Sequence, residues 1–451
     1  MKKTTTRLMA LLLSVVMVLA LAACGSKTTT SANETPTTQT ENPTSTNSNQ
    51  TAEPADSSED VETVKIGLML QLAGASPADS EELLKGCQKI ADIVNNETDY
   101  NLPLAQTAGI PNLNGAKVEI VVGDGATNDA AMSECERLIT EEGVVAFAGI
   151  IGSSSVKVCA TAFEKYGVPY VTNASSPTLT SSGYDYLVRI FPDDAIYCEG
   201  IFKMIQEMNE KEDAGIKTIA LCSEDSEFGV NIATIEANLA EEYGLELVAN
   251  VSYSASATNV TSEVLKLKET DADVVMFSSY TADAILFMQT FKEQNYYPKM
   301  LVGQRGGFSR NEMFVSVPEA MQYVYNTSAW ATDLAAPNVQ LMCDIFAEAA
   351  NGGSIQEGVL RAMTDFYTII LAINQAGTTD ADAIVEQYRN GIEIPDDQKW
   401  LPVDVKIDEN GQNLESSAVV LQAFDGVYKT VYPASAASTE HVFPVPGWDE
   451  R

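Results

Sequence analysis

The residues best suited to chemistry in this chain of 451 residues are small and polar, and they follow apolar runs. The run Val144 to Gly149 (VVAFAG) leads through Ile150, Ile151 and Gly152 into Ser153-Ser154-Ser155 and then a helical pattern. A buried strand that passes through glycine and serines into a helix offers hydroxyls and free backbone N–H groups at the positive end of a helix dipole. That arrangement suits an anion such as a carboxylate. An ordinary N-cap accounts for one serine and needs no three. A second strand end, Thr172-Asn173-Ala174-Ser175-Ser176-Pro177, repeats the pattern, so the two ends side by side make a polar shelf. Arg189-Ile190-Phe191-Pro192-Asp193-Asp194 follows. Its two Asp either cap the next helix or receive an ammonium group through charge-assisted hydrogen bonds.

Composition excludes whole classes of function. Lys and Arg number 27 against 63 Asp and Glu, a formal charge of −36 that would repel nucleic acid rather than bind it. Hydrophobic residues at 45% are enough to build buried cores, so a wholly disordered chain is excluded too. The single histidine, His441, leaves almost no material for a histidine-ligated metal site or a Ser-His-Asp triad. No G-x-S-x-G elbow, HExxH helix or Walker loop occurs, and the expectation is a protein without enzymatic activity, cofactor or metal.

The first residues read as an address. Lys2, Lys3 and Arg7 precede an apolar run from Leu8 to Ala23, shorter than the roughly 20 residues a bilayer core requires, so residues 1–23 are expected to be an export signal. Leu21-Ala22-Ala23-Cys24 resembles the lipobox of bacterial lipoproteins, which implies acylation of Cys24. Residues 24–61 are rich in Ser, Thr, Asn, Gln and Pro and cannot bury enough surface to offset their ordering entropy. They are expected to tether the domain to the outer face of a cell membrane. Of the remaining cysteines, Cys87, Cys135, Cys159, Cys198, Cys222 and Cys343, none forms a CxxC pair, and most fall in apolar patterns that suit buried thiols.

The elements that must position these residues alternate. Strand patterns at Val64–Leu70, Lys117–Gly123, Val144–Ile150 and Pro169–Thr172 are separated by helical patterns at Glu81–Val94, Asn128–Ile139 and Val156–Tyr166. Such alternation predicts a doubly wound α/β lobe with parallel strands. After Asp194 the alternation restarts, with strands expected at Thr218–Cys222, Glu246–Ser252, Val274–Phe277 and Met300–Val302, and a second lobe follows. Helices at Val339–Ala350 and Gly358–Gln375 come next, then strands at Val403–Ile407, Ala418–Phe424 and Val427–Tyr432, with an Asn-Gly turn at Asn410-Gly411. The segment Asn95 to Asn114 reads as a surface loop or a set of local turns. Two lobes with additions at the end suggest a chain that recrosses between them. The boundaries expected are 62–193 with about 333–400 for one lobe, and 194–332 with about 401–451 for the other. Ligands of open α/β sheets bind beyond the carboxyl ends of strands, so facing lobes make a cleft.

In order and spacing, VKIGLML, LNGAKVEIVVGD, VVAFAGIIGSSSV, YGVPYVTNASSPTLT, YLVRIFPDD, EDSEFG and ADVVMFSSYTAD resemble the solute-binding lipoproteins of branched-chain amino acid ABC transporters. The resemblance covers Val64 to about Pro433. It implies the type I periplasmic-binding fold, two lobes closing on a ligand by a hinge, and docking on a membrane permease. It also implies ligand contacts at Ser153, Ala174 and Ser176 for a carboxylate, Asp194 for an ammonium group, and Phe228 and Tyr280 for packing; Ser154 and Ser175 join the candidates from the two polar strand ends. Departures stand beside it. Gly303-Gln304-Arg305-Gly306 carries an arginine where amino-acid-specific relatives carry Glu, Gly74 to Ser80 has no aromatic, and Gly152 replaces a cysteine. Arg305 either neutralises Asp194, faces solvent, or receives a second acidic group of the ligand. The expected ligand is therefore a small amino-acid-like, anionic or zwitterionic metabolite. A sensory lipoprotein of the same fold, reporting to a membrane receptor, is the alternative.

Overall fold

Among the residues that the computed structural model describes, 62–72, 77–149 and 152–450, the strands form two sheets. The expected export signal, Cys24 and the tether lie outside the described residues, as do 73–76 of the glycine-containing loop and Ile150-Ile151. The first sheet contains β1 (Thr63–Leu70), β2 (Lys117–Asp124), β3 (Ala146–Ala148), β4 (Tyr170–Val171) and β5 (Leu187–Val188), in the order β2-β1-β3-β4-β5. All its pairings are parallel. Parallel neighbours need crossovers, which α1 (Pro77–Asn95), α2 (Asn128–Thr140), α3 (Ser153–Tyr166) and the single turn α4 (Pro177–Thr180) supply.

After β5, α5 (Asp194–Lys211) opens the second unit of α/β structure. Strands β6 (Thr218–Glu224), β7 (Glu246–Tyr253), β8 (Val274–Ser278), β9 (Met300–Gly303) and β10 (Tyr325–Ser328) alternate with α6 (Glu227–Glu242), α7 (Thr261–Thr270), α8 (Thr281–Glu293), and the short α9 (Asn311–Ser316) and α10 (Pro318–Met321). Their order, β7-β6-β8-β9-β10, repeats that of the first sheet. Helices α11 (Val339–Ala349) and α12 (Glu357–Ala376) then return to pack beside α1, and α13 (Ala381–Asn390) packs on α12. The chain ends its regular strands with β11 (Val419–Phe424) and β12 (Val427–Tyr432), which extend the second sheet antiparallel from β10.

Both sheets are covered on two faces, and the strands divide their side chains accordingly. Ile66, Leu68 and Leu70 join α1 and α12 in one core, while Met69 points to the opposite core with Phe147, Cys159 and Phe163. In the second sheet Ala220 and Cys222 face one core and Ile219 and Leu221 the other. Near-continuous apolar runs of this kind are what a two-sided parallel sheet requires. Gly67 is compulsory here, because a Cβ would lie 2.4 Å from the Phe147 ring. Helix α12 is buried from Val359 through Ile373, and only part of its polar content is paired inside: Trp400 Nε1 donates to Thr364 Oγ1 at 2.9 Å and Tyr388 Oη to Thr368 Oγ1 at 3.0 Å, whereas both Asp365 carboxyl oxygens and Arg361 Nε have no hydrogen-bond partner.

Several expectations change. Val403–Ile407 is no strand; it makes only the single bridges Ile392–Val405 and Ile407–Asn413, the second closing the expected turn around Gly411. The segment 95–114 is not simply a surface loop, since Leu102, Ala105 and Ile110 are buried and Tyr367 Oη donates to Pro103 O. Strands β5 and β10 and helix α13 were not expected. The cysteines Cys87, Cys135, Cys159, Cys198 and Cys222 are buried free thiols, and Cys343 is a half-buried one.

Candidate functional site

The carboxyl ends of β3, β4, β6, β8 and β9 carry the residues singled out from the sequence. Helix α3 begins at Ser153 rather than Val156, with Gly152 in the N-cap position at φ 89°, so the three serines form its first turn. Ser153 Oγ accepts a 3.4 Å bond from the Ser176 N–H, which joins the two polar strand ends. Ser154 is half-buried. Ser155 is spent on structure, donating to Asn128 Oδ1 at 2.9 Å.

The second strand end is clamped by arginines. Arg189, fully buried, donates from Nη1 to the carbonyls of Ser176 at 2.7 Å and Ala174 at 3.4 Å, and Arg361 on α12 donates to Asn173 O. Arg305 donates to Ser175 Oγ at 2.9 Å. Backbone carbonyls that would otherwise be orphaned are thereby satisfied, and the loop's conformation is fixed. The Ala174 N–H is turned onto Thr172 Oγ1 at 3.1 Å.

Arg305 reaches this loop from the turn after β9. Its backbone sits at φ 55°, ψ −124°, a region non-glycine residues rarely occupy, and Asn326 Oδ1 holds its N–H at 2.9 Å. The turn lies flat on the β8–α8 connection: a Cβ on Gly306 would be 2.4 Å from Ser279 O, and one on Gly307 2.4 Å from the Tyr280 carbonyl carbon. From there the guanidinium passes over the Tyr197 ring at 4.0 Å and near Phe228 at 5.7 Å, and pairs with Asp194. Phe228 stands 5.6 Å from Tyr280, which is 45% exposed and is the one exposed member of the set.

Asp193 is the N-cap of α5, accepting from the Ile196 N–H at 3.0 Å, which is the capping role. Asp194, one residue on, is completely buried; its N–H donates to Ser175 O at 2.8 Å. Burial pushes its carboxyl above the ordinary value, and Arg305 opposes that push. Asp194 Oδ2 and Arg305 Nε have no hydrogen-bond partner. Beneath the turn, Thr327 Oγ1 donates to Gln304 Oε1 at 2.7 Å and Gln304 Nε2 to Glu236 Oε1 at 2.9 Å; burial raises the Glu236 carboxyl to about 8.

Other bonds run between elements of the two sheets. Asn231 Nδ2 on α6 donates to Ser176 Oγ at 2.9 Å, Thr178 Oγ1 to Glu227 Oε1 at 3.3 Å, and Lys157 lies 3.5 Å from Glu227. Among the described residues no three His, Cys, Asp or Glu side chains come together as metal ligands, and no helix is long and apolar enough to cross a membrane.

Residues 63–426 match the family model described as periplasmic binding protein. The chain belongs to this family. Leu/Ile/Val-binding protein homolog 7 of Brucella suis is 28% identical over 401 residues, covering 84% of this chain and 98% of the relative. The branched-chain amino acid transporter substrate binding protein LivJ of Streptococcus pneumoniae, solved with isoleucine, superposes with a TM-score of 0.70 at 20% identity, covering 82% of this chain and all of its own. A solute binding protein of an ABC transporter from Rhodopseudomonas palustris, solved with 4-hydroxybenzoate, gives 0.68 at 16% identity, covering 86% and 99%. The fold is the type I periplasmic-binding fold, and its members are solute-binding proteins.

Three residues around the strand ends escaped the sequence reading, Tyr197, Asn231 and Arg361, and Arg189 stood in a motif there without a role. Tyr197 had a signal, since it lies three positions after Asp194 and so shares its helix face. Arg361 had none, because it comes from a helix 188 positions after the carbonyl it binds.

Proposed function

We propose that this protein is the extracytoplasmic solute-binding component of an ABC importer, capturing a small amino-acid-like, anionic or zwitterionic metabolite between two lobes and delivering it to a membrane permease. The observation that carries the reading is the convergence on one place of strand ends from both sheets, with Arg305 of the second bonded to Ser175 of the first. The ligand would lie among Ser153, Ser154, Ala174, Ser175, Ser176, Asp194, Phe228, Tyr280 and Arg305. Open α/β sheets bind ligands beyond their strand ends at the point where strand order reverses, here between β1 and β3 and between β6 and β8. The relatives' printed ligands, isoleucine and 4-hydroxybenzoate, both carry a carboxylate, which fits a site with an arginine and a serine-lined helix start.

In this reading the lobes comprise 62–193 with about 333–400, and 194–332 with about 401–451, and the connections near 189–193, 329–338 and 401–418 act as hinges. Acylation at Cys24 would hold the protein at the outer face of the membrane, with residues 24–61 as tether. Mass spectrometry of small molecules released on denaturing freshly purified protein tests the function directly. Recovery of a stoichiometric carboxylate metabolite is expected. A protein that releases nothing, and whose melting temperature no amino or organic acid raises, is not a solute-binding component.

A further inference from the structure

Resting on the solute-binding reading, we infer that Arg305 makes this a site for small carboxylates that carry no α-ammonium group, and that this one residue sets the preference. Asp194 is the carboxylate placed to receive an ammonium, and Arg305 Nη2 already occupies its Oδ1. An ammonium brought to the remaining oxygen, Oδ2, would sit beside the guanidinium with both cations sharing one buried carboxylate. Like charges at that separation repel strongly once water is excluded. The arginine does not move aside easily: its turn holds a strained backbone, Asn326 fixes its N–H, and the Tyr197 ring lies 4.0 Å beneath the guanidinium.

What the guanidinium still lacks is an acceptor. Its Nε is buried with no partner, and a planar fork of this kind is completed by a carboxylate. The helix starts nearby bias the same way. Helices α5, α6 and α8 carry Asp194, Glu227 and Asp283 in their first turns, whereas α3 carries no acidic residue in its first turn, leaving its positive end for the ligand. The body of the ligand finds an apolar plate in Phe228 and the half-exposed ring of Tyr280.

Two matched pairs test this on the purified full chain by calorimetry: 4-methylpentanoate against leucine, and 3-phenylpropanoate against phenylalanine, the members of each pair differing only in the ammonium group. The acid without ammonium is expected to bind at least ~10-fold more tightly in one or both pairs. Arg305→Gln, checked for folding by circular dichroism, should lose that binding ~10-fold or more, and Arg305→Lys should keep the order of preference because it keeps the charge. Tighter binding of leucine or phenylalanine overturns the inference and leaves the solute-binding reading intact. If no member of either pair binds, the molecule released on denaturation decides. A carboxylate without an α-ammonium supports the inference and an amino acid or non-carboxylate overturns it, while an empty protein overturns both the inference and the reading beneath it.

Discussion

Arg305 and Asp194 form an ion pair buried on both sides, their side chains 7% and 0% exposed, at the place where the turn after β9 meets the first residue of α5. Taking two charges out of water costs free energy that their attraction only partly returns, so such a pair is poor evidence for stability in itself. Its consequence is different: either partner left alone is a buried, uncompensated charge.

Arg305→Met is therefore expected to cost about 3–5 kcal/mol at pH 7.5. The loss should shrink at lower pH. With the guanidinium gone, the largest influence opposing burial is lost and the folded value of Asp194, already above the ordinary one, rises further, with Ser175 and Arg189 still lowering it, so the folded state gains relative stability as the group takes up its proton. Urea unfolding at pH 7.5 and pH 5 measures this, and an equal loss at both would show that Asp194 is not the group left exposed to the penalty.

Glu236 offers a second pH signature. Its folded value of about 8 lies above the ordinary carboxylate range because the side chain is buried and the Asp194 carboxyl adds to the push, with Gln304 providing only one compensating bond. An unfolded chain ionises this group near 4.5 while the folded one holds its proton, so folding stability falls as pH rises from about 4.5 to about 8. Glu236→Gln keeps an acceptor for Gln304 and removes the titration. The variant should match the wild type at pH 4 and exceed it by about 2–4 kcal/mol at pH 8, read from denaturant midpoints across that range.

The alternation that located most strands and helices was legible because each strand is buried on two faces and each long helix has an apolar side. It failed where burial is polar. β10, Tyr325–Ser328, contains Asn326, Thr327 and Ser328, all buried yet each bonded through its side chain, to Ser309, Gln304 and the Trp330 carbonyl. No apolar period marks such a strand. Val403–Ile407 fails in the opposite sense: Val403, Val405 and Ile407 alternate as a strand would, but the neighbouring chain offers only single bridges. At the candidate site the strand ends could be read locally, since glycine and serine follow apolar runs. The arginines that clamp Asn173 to Ser176 come from a following strand end, a distant turn and a distant helix, and no local pattern announces which cation will meet which carbonyl.

The cysteines give a chemical test of the packing. Cys87, Cys135, Cys159, Cys198 and Cys222 are buried, and Cys343 is half-buried with its thiol raised to about 11, mainly by burial. A thiol must be accessible and ionised to react. Native protein treated with iodoacetamide at pH 8 should be labelled slowly and first at Cys343 among these six, with the other five following only in denaturant. Peptide mapping that finds a disulfide among them, or early labelling of Cys159, would contradict the arrangement.

Asn231 and Ser176 tie α6 to the loop after β4 with a 2.9 Å bond that has no role within either sheet. If the two sheets separate as the proposed hinge requires, this bond contributes to the closed arrangement and nothing to the open one. Removing it shifts the balance by about the net worth of one hydrogen bond, roughly 1 kcal/mol. Under the proposed reading, in which a ligand held between lobes binds the closed form, its apparent affinity falls by up to the same factor. Asn231→Ala should thus weaken ligand binding by up to about 5-fold while leaving the melting temperature nearly unchanged, since Asn231 is only half-buried on the α6 surface. Small-angle scattering without ligand should show a larger radius of gyration for the variant than for the wild type, and the two should converge at saturating ligand. Unchanged affinity with unchanged scattering would mean that closure depends on other contacts, with Thr178–Glu227 and Lys157–Glu227 the next to remove.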